Sequence, residues 1–136
     1  MSRIVLDTNS LIQSIPSRSP YHRIWTDFLS GGLTLCVTTS ILNEYEEILM
    51  RLAGETAATE VINVILNNSS TLLVDTYYNF NLIQADPDDN KFVDCAIAAN
   101  AELIVTEDHH FDILRSIAFP KVYIVGLDSF VKMLGH

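Results

Sequence analysis

Five short apolar runs are spaced along the chain: Arg3–Leu6, Leu33–Val37, Thr71–Val74, Leu103–Val105 and Val122–Val125. Each is too short for a helix and apolar on consecutive positions, the pattern of a strand buried on both faces. Between them lie longer segments with helical spacing of their apolar residues: Tyr21–Leu29, Ile41–Leu52, Thr56–Leu66, Lys91–Asn100, Asp108–Ile117 and Leu127–Leu134. Strands alternating with helices predict an α/β/α sandwich with a central parallel sheet and right-handed crossovers. Two loops interrupt the pattern: Ser14–Pro20, rich in Ser and Pro, and Asn79–Asn90, ending in Asp86-Pro87-Asp88-Asp89-Asn90. With 136 residues, the expectation is a single domain over 1–136.

This layout gives the acidic residues a shared address. Asp7 closes the first strand and Asp108 follows Val105-Thr106-Glu107. Glu44 lies one turn into the helix after Leu33–Val37, and Asp94 one turn into the helix starting near Lys91. Ligands of open α/β sheets bind outside the carboxyl ends of the strands, and all four carboxylates belong at that edge. Each also has a structural reading. Asp7 and Asp108 could cap helices, and Glu44 could favour the positive end of its own. Asp94, among Phe92, Val93, Cys95, Ala96, Ile97, Ala98 and Ala99, is harder to explain as surface, because a buried carboxylate needs a partner.

Charge sharpens the question. Eight Lys and Arg against 17 Asp and Glu give a net charge of −9, the wrong sign for a protein that grips nucleic acid by charge alone. Clustered carboxylates repel one another unless a cation intervenes, and hard oxygen donors select Mg²⁺ or Mn²⁺ over zinc. A cation there would activate water for phosphodiester hydrolysis and offset the negative surface. Cys36 and Cys95 sit in apolar runs without metal-type spacing, which argues against a disulfide framework or a zinc knuckle. No apolar run reaches the ~18 residues of a membrane span, and the first acid comes too early for a signal peptide, so a cytoplasmic location is expected.

The acidic positions, read with their neighbours, resemble the PIN-domain ribonuclease family. Ile4-Val5-Leu6-Asp7-Thr8-Asn9 looks like its opening motif, and Glu44 in Thr38-Thr39-Ser40-Ile41-Leu42-Asn43-Glu44 its second acid. Asp94-Cys95-Ala96-Ile97-Ala98-Ala99 is similar to the third, and Val105-Thr106-Glu107-Asp108 with Phe111 to the fourth. The resemblance spans nearly the whole chain. It implies an endoribonuclease in which Asp7, Glu44, Asp94 and Asp108 hold one or two Mg²⁺ or Mn²⁺ ions, leaving 5′-phosphate and 3′-hydroxyl ends. Thr8, Asn9 and Thr106 would support those ligands. Asp86-Pro87-Asp88-Asp89-Asn90-Lys91-Phe92 resembles a branch of toxins from toxin–antitoxin pairs, which implies an RNA substrate, an antitoxin protein and a homodimer. Asp88 or Asp89 could enter the metal site, or Asp89 could cap the helix.

Arg18, His22, Arg23 and Lys91 are candidate RNA contacts, and Trp25, Tyr77 and Tyr78 could stack on bases or pack in a core or interface. At most one of His109 and His110 can face the pocket. A receiver-type phosphoacceptor would need an acidic pair after the first strand, where Asp7-Thr8 stands, and a haloacid-dehalogenase-type phosphatase needs Asp-x-Asp, where Asn9 stands. The remaining alternative is a catalytically inactive PIN fold that binds RNA or protein.

Overall fold

The computed structural model describes residues 2–135. Five parallel strands, β1 (Ser2–Leu6), β2 (Leu33–Val37), β3 (Thr71–Leu73), β4 (Leu103–Val105) and β5 (Ile124–Val125), form one sheet in the order β3-β2-β1-β4-β5. β1 is therefore central. Its Ile4, Val5 and Leu6 are consecutively buried, as are Leu35, Cys36 and Val37 of β2, because helices cover both faces. Successive strand side chains point to opposite faces, so only a doubly covered sheet hides all three.

The helices are α1 (Thr8–Ser14), α2 (His22–Ser30), α3 (Thr39–Ala53), α4 (Glu55–Asn67), α5 (Asn90–Ala99) and α6 (Leu127–Met133). Their starts follow local chemistry. Thr38 Oγ1 accepts the Ile41 amide at 3.1 Å to cap α3, and α2 ends on Gly31 with φ 90°, a left-handed turn that glycine adopts without strain. Buried Tyr45 of α3 donates its hydroxyl to the Leu6 carbonyl at 2.6 Å, fastening α3 to the end of β1. The covering of β1 and β2 and this tether set Glu44 near the strand end that carries Asp7.

Two segments depart from the sequence pattern. The helix expected over Asp108–Ile117 is a 3-10 segment, His109–Ser116. Its bonds close at i+3, Phe111 N to Asp108 O at 3.2 Å and Ile117 N to Leu114 O at 3.3 Å. The buried pair Phe111 and Leu114 is three apart, which suits three residues per turn, and His, Asp and Ile favour an α-helix weakly. The last strand is shorter than expected, two residues rather than four. Between β3 and the 3-10 turn Pro87–Asp89 the chain has no regular structure. Buried Asn90 holds it, accepting the Ile83 amide at 2.9 Å and donating to the Ile83 carbonyl at 2.8 Å.

Candidate metal centre

Asp7 stands one residue past β1 and caps α1, its Oδ1 accepting the Ser10 amide at 2.9 Å. Its Oδ2 accepts the Thr106 hydroxyl. Thr106 is just past β4, and the two strand ends are joined by the Asp7 amide bonding Val105 O at 3.3 Å. Thr106 Oγ1 in turn accepts the Asp108 amide at 3.0 Å, and Asp108 Oδ1 accepts the His110 amide at 2.8 Å. This chain of bonds aims Asp7 and Asp108 into one cavity of about 180 Å³, which Thr8, Asn9, Glu44 and Asp89 also line. Ile48 and Phe92 form its apolar walls.

Charges in and beside this cavity are unevenly compensated. Burial raises the Asp7 carboxyl; the bonds from Thr106 and Ser10 oppose that, and Asp108 adds to it. Burial also lifts Asp89, to about 7, reinforced by Asp86, Asp108 and Asp7 and opposed by His110. Asp89 Oδ2 is buried and has no hydrogen-bond partner. Glu44 differs from both: one oxygen accepts the Thr8 hydroxyl, and the other lies 2.5 Å from Lys91 Nζ. Lys91 also reaches Asp88 Oδ1 at 3.0 Å; burial alone would lower its ammonium, but these two carboxylates outweigh it and leave it raised.

A buried carboxylate oxygen with an empty hydrogen-bonding register, among further carboxylates and against a low-dielectric wall, fits a divalent cation bound through hard oxygens. Asp7, Asp89 and Asp108 are the residues that could hold one, with Glu44 on the α3 side.

Asp94 is not among them. It is 5% exposed, and its Oδ1 accepts the Phe80 amide at 3.2 Å. It lines two other cavities, one with Thr38, Ser40 and Thr76, the other with Tyr77 and Tyr78. The physical reason is helical phase. Asp89 precedes α5 and Asp94 lies five residues later, roughly 140° further round the helix, so the two cannot share a side. Sequence reasoning took the buried acid for the third ligand and left Asp89 as an alternative. The usable signal was helical phase: Asp89 and Phe92, three apart, both line the cavity, and Asp94 falls on another side of α5.

Of the other candidates, Trp25 is buried and packs on Phe28 with ring centres 5.4 Å apart. Tyr77 and Tyr78 are 84% and 76% exposed. Arg23 bonds the carbonyls of Leu134 and Gly135, and His22 the carbonyl of Ser14. His109 points away to Asp112, whereas His110 turns toward Asp86, Asp89 and Asp108.

An all-parallel five-stranded α/β/α sheet with carboxylates gathered beyond its central strands defines the class. A family model described as PIN domain matches residues 3–110, and the chain belongs to that family. Among solved structures, the chain is similar to VapBC2 from Rickettsia felis bound to a DNA fragment from its promoter, with TM-score 0.63, 18% identity, 91% of this chain and 98% of that one covered. It is also similar to DNA-bound VapBC from Salmonella typhimurium, with TM-score 0.62, 18% identity and coverage of 93% and 99%. VapBC-1 from nontypeable Haemophilus influenzae follows with TM-score 0.60, 13% identity and coverage of 93% and 98%. No curated protein matches the sequence. Among the described residues no helix is long and apolar enough to cross a membrane.

Proposed function

We propose that this protein is a divalent-metal-dependent endoribonuclease, the toxin of a toxin–antitoxin pair, acting on RNA as a homodimer and silenced by an antitoxin protein. The observation that carries the nuclease reading is the convergence of Asp7, Asp89 and Asp108 on one cavity, with a buried Asp89 oxygen left unbonded. Membership of the PIN-domain family supports it, and the VapBC complexes among similar structures support a protein partner. The assigned ligand set differs from the sequence expectation by taking Asp89 in place of Asp94.

Mg²⁺ or Mn²⁺ bound there supplies Lewis acidity toward water and the phosphodiester and shields the substrate's charge. The side chains do the rest. Asp7 and Asp108 are fixed before binding by Thr106, Ser10 and the strand ends, so little reorganisation is needed. Thr8 and Lys91 hold both oxygens of Glu44 and set its orientation at the cavity wall. Phe92 and Ile48 limit water on one side, which strengthens the electrostatics inside.

Calorimetric titration with Mn²⁺, without RNA, tests the ligand set. Asp89→Asn is expected to weaken binding by on the order of 10- to 100-fold. Asp94→Asn keeps an acceptor for the Phe80 amide and is expected to stay within roughly threefold of the parent, well under one ligand's worth. The reverse ranking would overturn the assignment. A PIN fold that only binds is the second reading, favoured by the net charge of −9; it predicts that neither variant alters a measurable affinity for the ion.

A further inference from the structure

Beside the cavity lies a second set of donors that the four-carboxylate pattern does not use. Asp86 Oδ2 is 3.8 Å and Asp89 Oδ2 is 3.6 Å from His110 Nδ1, and one ligand atom from each residue lies within 4.8 Å of the others. These spacings are too long for hydrogen bonds to the imidazole. They are close to those of donors sharing an ion: with bonds of ~2.1 Å, neighbouring ligands lie roughly 3.0 to 3.4 Å apart.

We propose that Asp86, Asp89 and His110 form a second position for a divalent transition ion, selective for Mn²⁺ over Mg²⁺, with Asp89 shared between this position and the acidic cavity. It rests on the reading of that cavity as a metal centre. Three features prepare it, the second of them shared with the acidic cavity. Asp86 uses Oδ1 to cap the 3-10 turn, accepting the Asp88 amide at 3.3 Å, which leaves Oδ2 turned to the imidazole. Asp89 Oδ2 is buried, and no hydrogen bond claims it. His110 is fixed by Asp108, whose Oδ1 accepts its amide at 2.8 Å and lies 3.2 Å from its Nδ1, nearer than Asp86 or Asp89. The ring therefore stays on the side of the carboxylates, and an ion there would have to take Nδ1 from Asp108.

The chemistry of the set distinguishes it from the cavity. Mg²⁺ demands oxygen ligands and keeps its waters, whereas first-row transition ions accept an imidazole nitrogen beside carboxylates. A carboxylate common to two adjacent ions is also the arrangement of two-metal phosphodiester chemistry. His110 therefore decides which metal is taken rather than serving as a base.

Electron paramagnetic resonance of Mn²⁺ on the tag-free full chain at pH 7.5 tests this. Bound Mn²⁺ is expected to show hyperfine coupling to one imidazole nitrogen, and Mg²⁺ in excess to leave that signal in place. His110→Gln, at a half-exposed position, should abolish the coupling and weaken that ion on the order of 10-fold or more, while His109→Gln changes nothing. Asp86→Asn is expected to weaken the same ion. Coupling that is absent in the parent, or that survives His110→Gln, overturns the second position. If Mn²⁺ then still binds and is lost in Asp7→Asn, the acidic cavity stands without it. No Mn²⁺ binding at all overturns both.

Discussion

Asp89 illustrates how one side chain's surroundings set a property of the whole protein. Its ordinary carboxyl value is 3.8, and burial with Asp86, Asp108 and Asp7 lifts it to about 7 in the fold. Between about pH 4 and pH 7 the folded protein therefore keeps a proton that the unfolded chain has released. Stability from this group is full below the lower value and is lost as pH rises through the upper one. Asp7, also raised by burial, acts in the same direction. In metal-free urea unfolding, the parent minus Asp89→Asn stability difference should fall as pH goes from 5 to 8. Added Mn²⁺, which competes with that proton, should stabilise the parent more at pH 8 than at pH 6. A difference that does not vary with pH would contradict the assigned environment.

The same scale shows what the sequence could and could not tell. Asp7 and Asp108 were legible because each follows an apolar strand, and strand ends share an edge. Asp94 was legible as buried, since nearly all its neighbours are apolar. What it pairs with was not legible: the partner is the backbone amide of Phe80, on a segment with no periodicity to place it. Lys91, the nearest cation to it in sequence, instead serves Glu44 and Asp88.

At the scale of elements, the sheet and helices α2 to α6 follow from apolar period, with bounds that agree to within a residue or two, whereas α1, seven residues long, is too short to show one. The exceptions are the pieces without a long repeat. His109–Ser116 carries a three-residue spacing that an α-helical template absorbs without protest. The irregular stretch between β3 and α5 has no apolar repeat to place it, and it is tied to α5 by two bonds between Asn90 and Ile83 and one from the Phe80 amide to Asp94. Asn90→Ala removes both, with an expected loss of about 2 kcal/mol from two buried bonds at roughly 1 kcal/mol each. Urea unfolding measures that loss, and exchange of the Ile83 amide should accelerate with it. A change below about 0.5 kcal/mol would mean that the stretch is held by other contacts.

For the whole molecule, a net charge of −9 and the proposed RNA substrate pull in opposite directions, and the side-chain cations do not remove the conflict. Lys91 is committed to carboxylates and Arg23 to carbonyls and Asp27, so neither is a free phosphate anchor. On the proposed reading, divalent ions held by the carboxylates would let the acidic edge approach a polyanion. Tyr77, Tyr78 and Phe119 stand exposed on the surface, residue types enriched at protein interfaces, which suits the protein partner proposed above. The most direct measurement is cleavage of a mixed pool of single-stranded and structured RNA with Mn²⁺, with Mg²⁺ and with EDTA, using the parent and Asp7→Asn. The account predicts cutting with either ion, none with EDTA, and none by Asp7→Asn. Cutting that persists in EDTA, or at the parent's rate in Asp7→Asn, would contradict it.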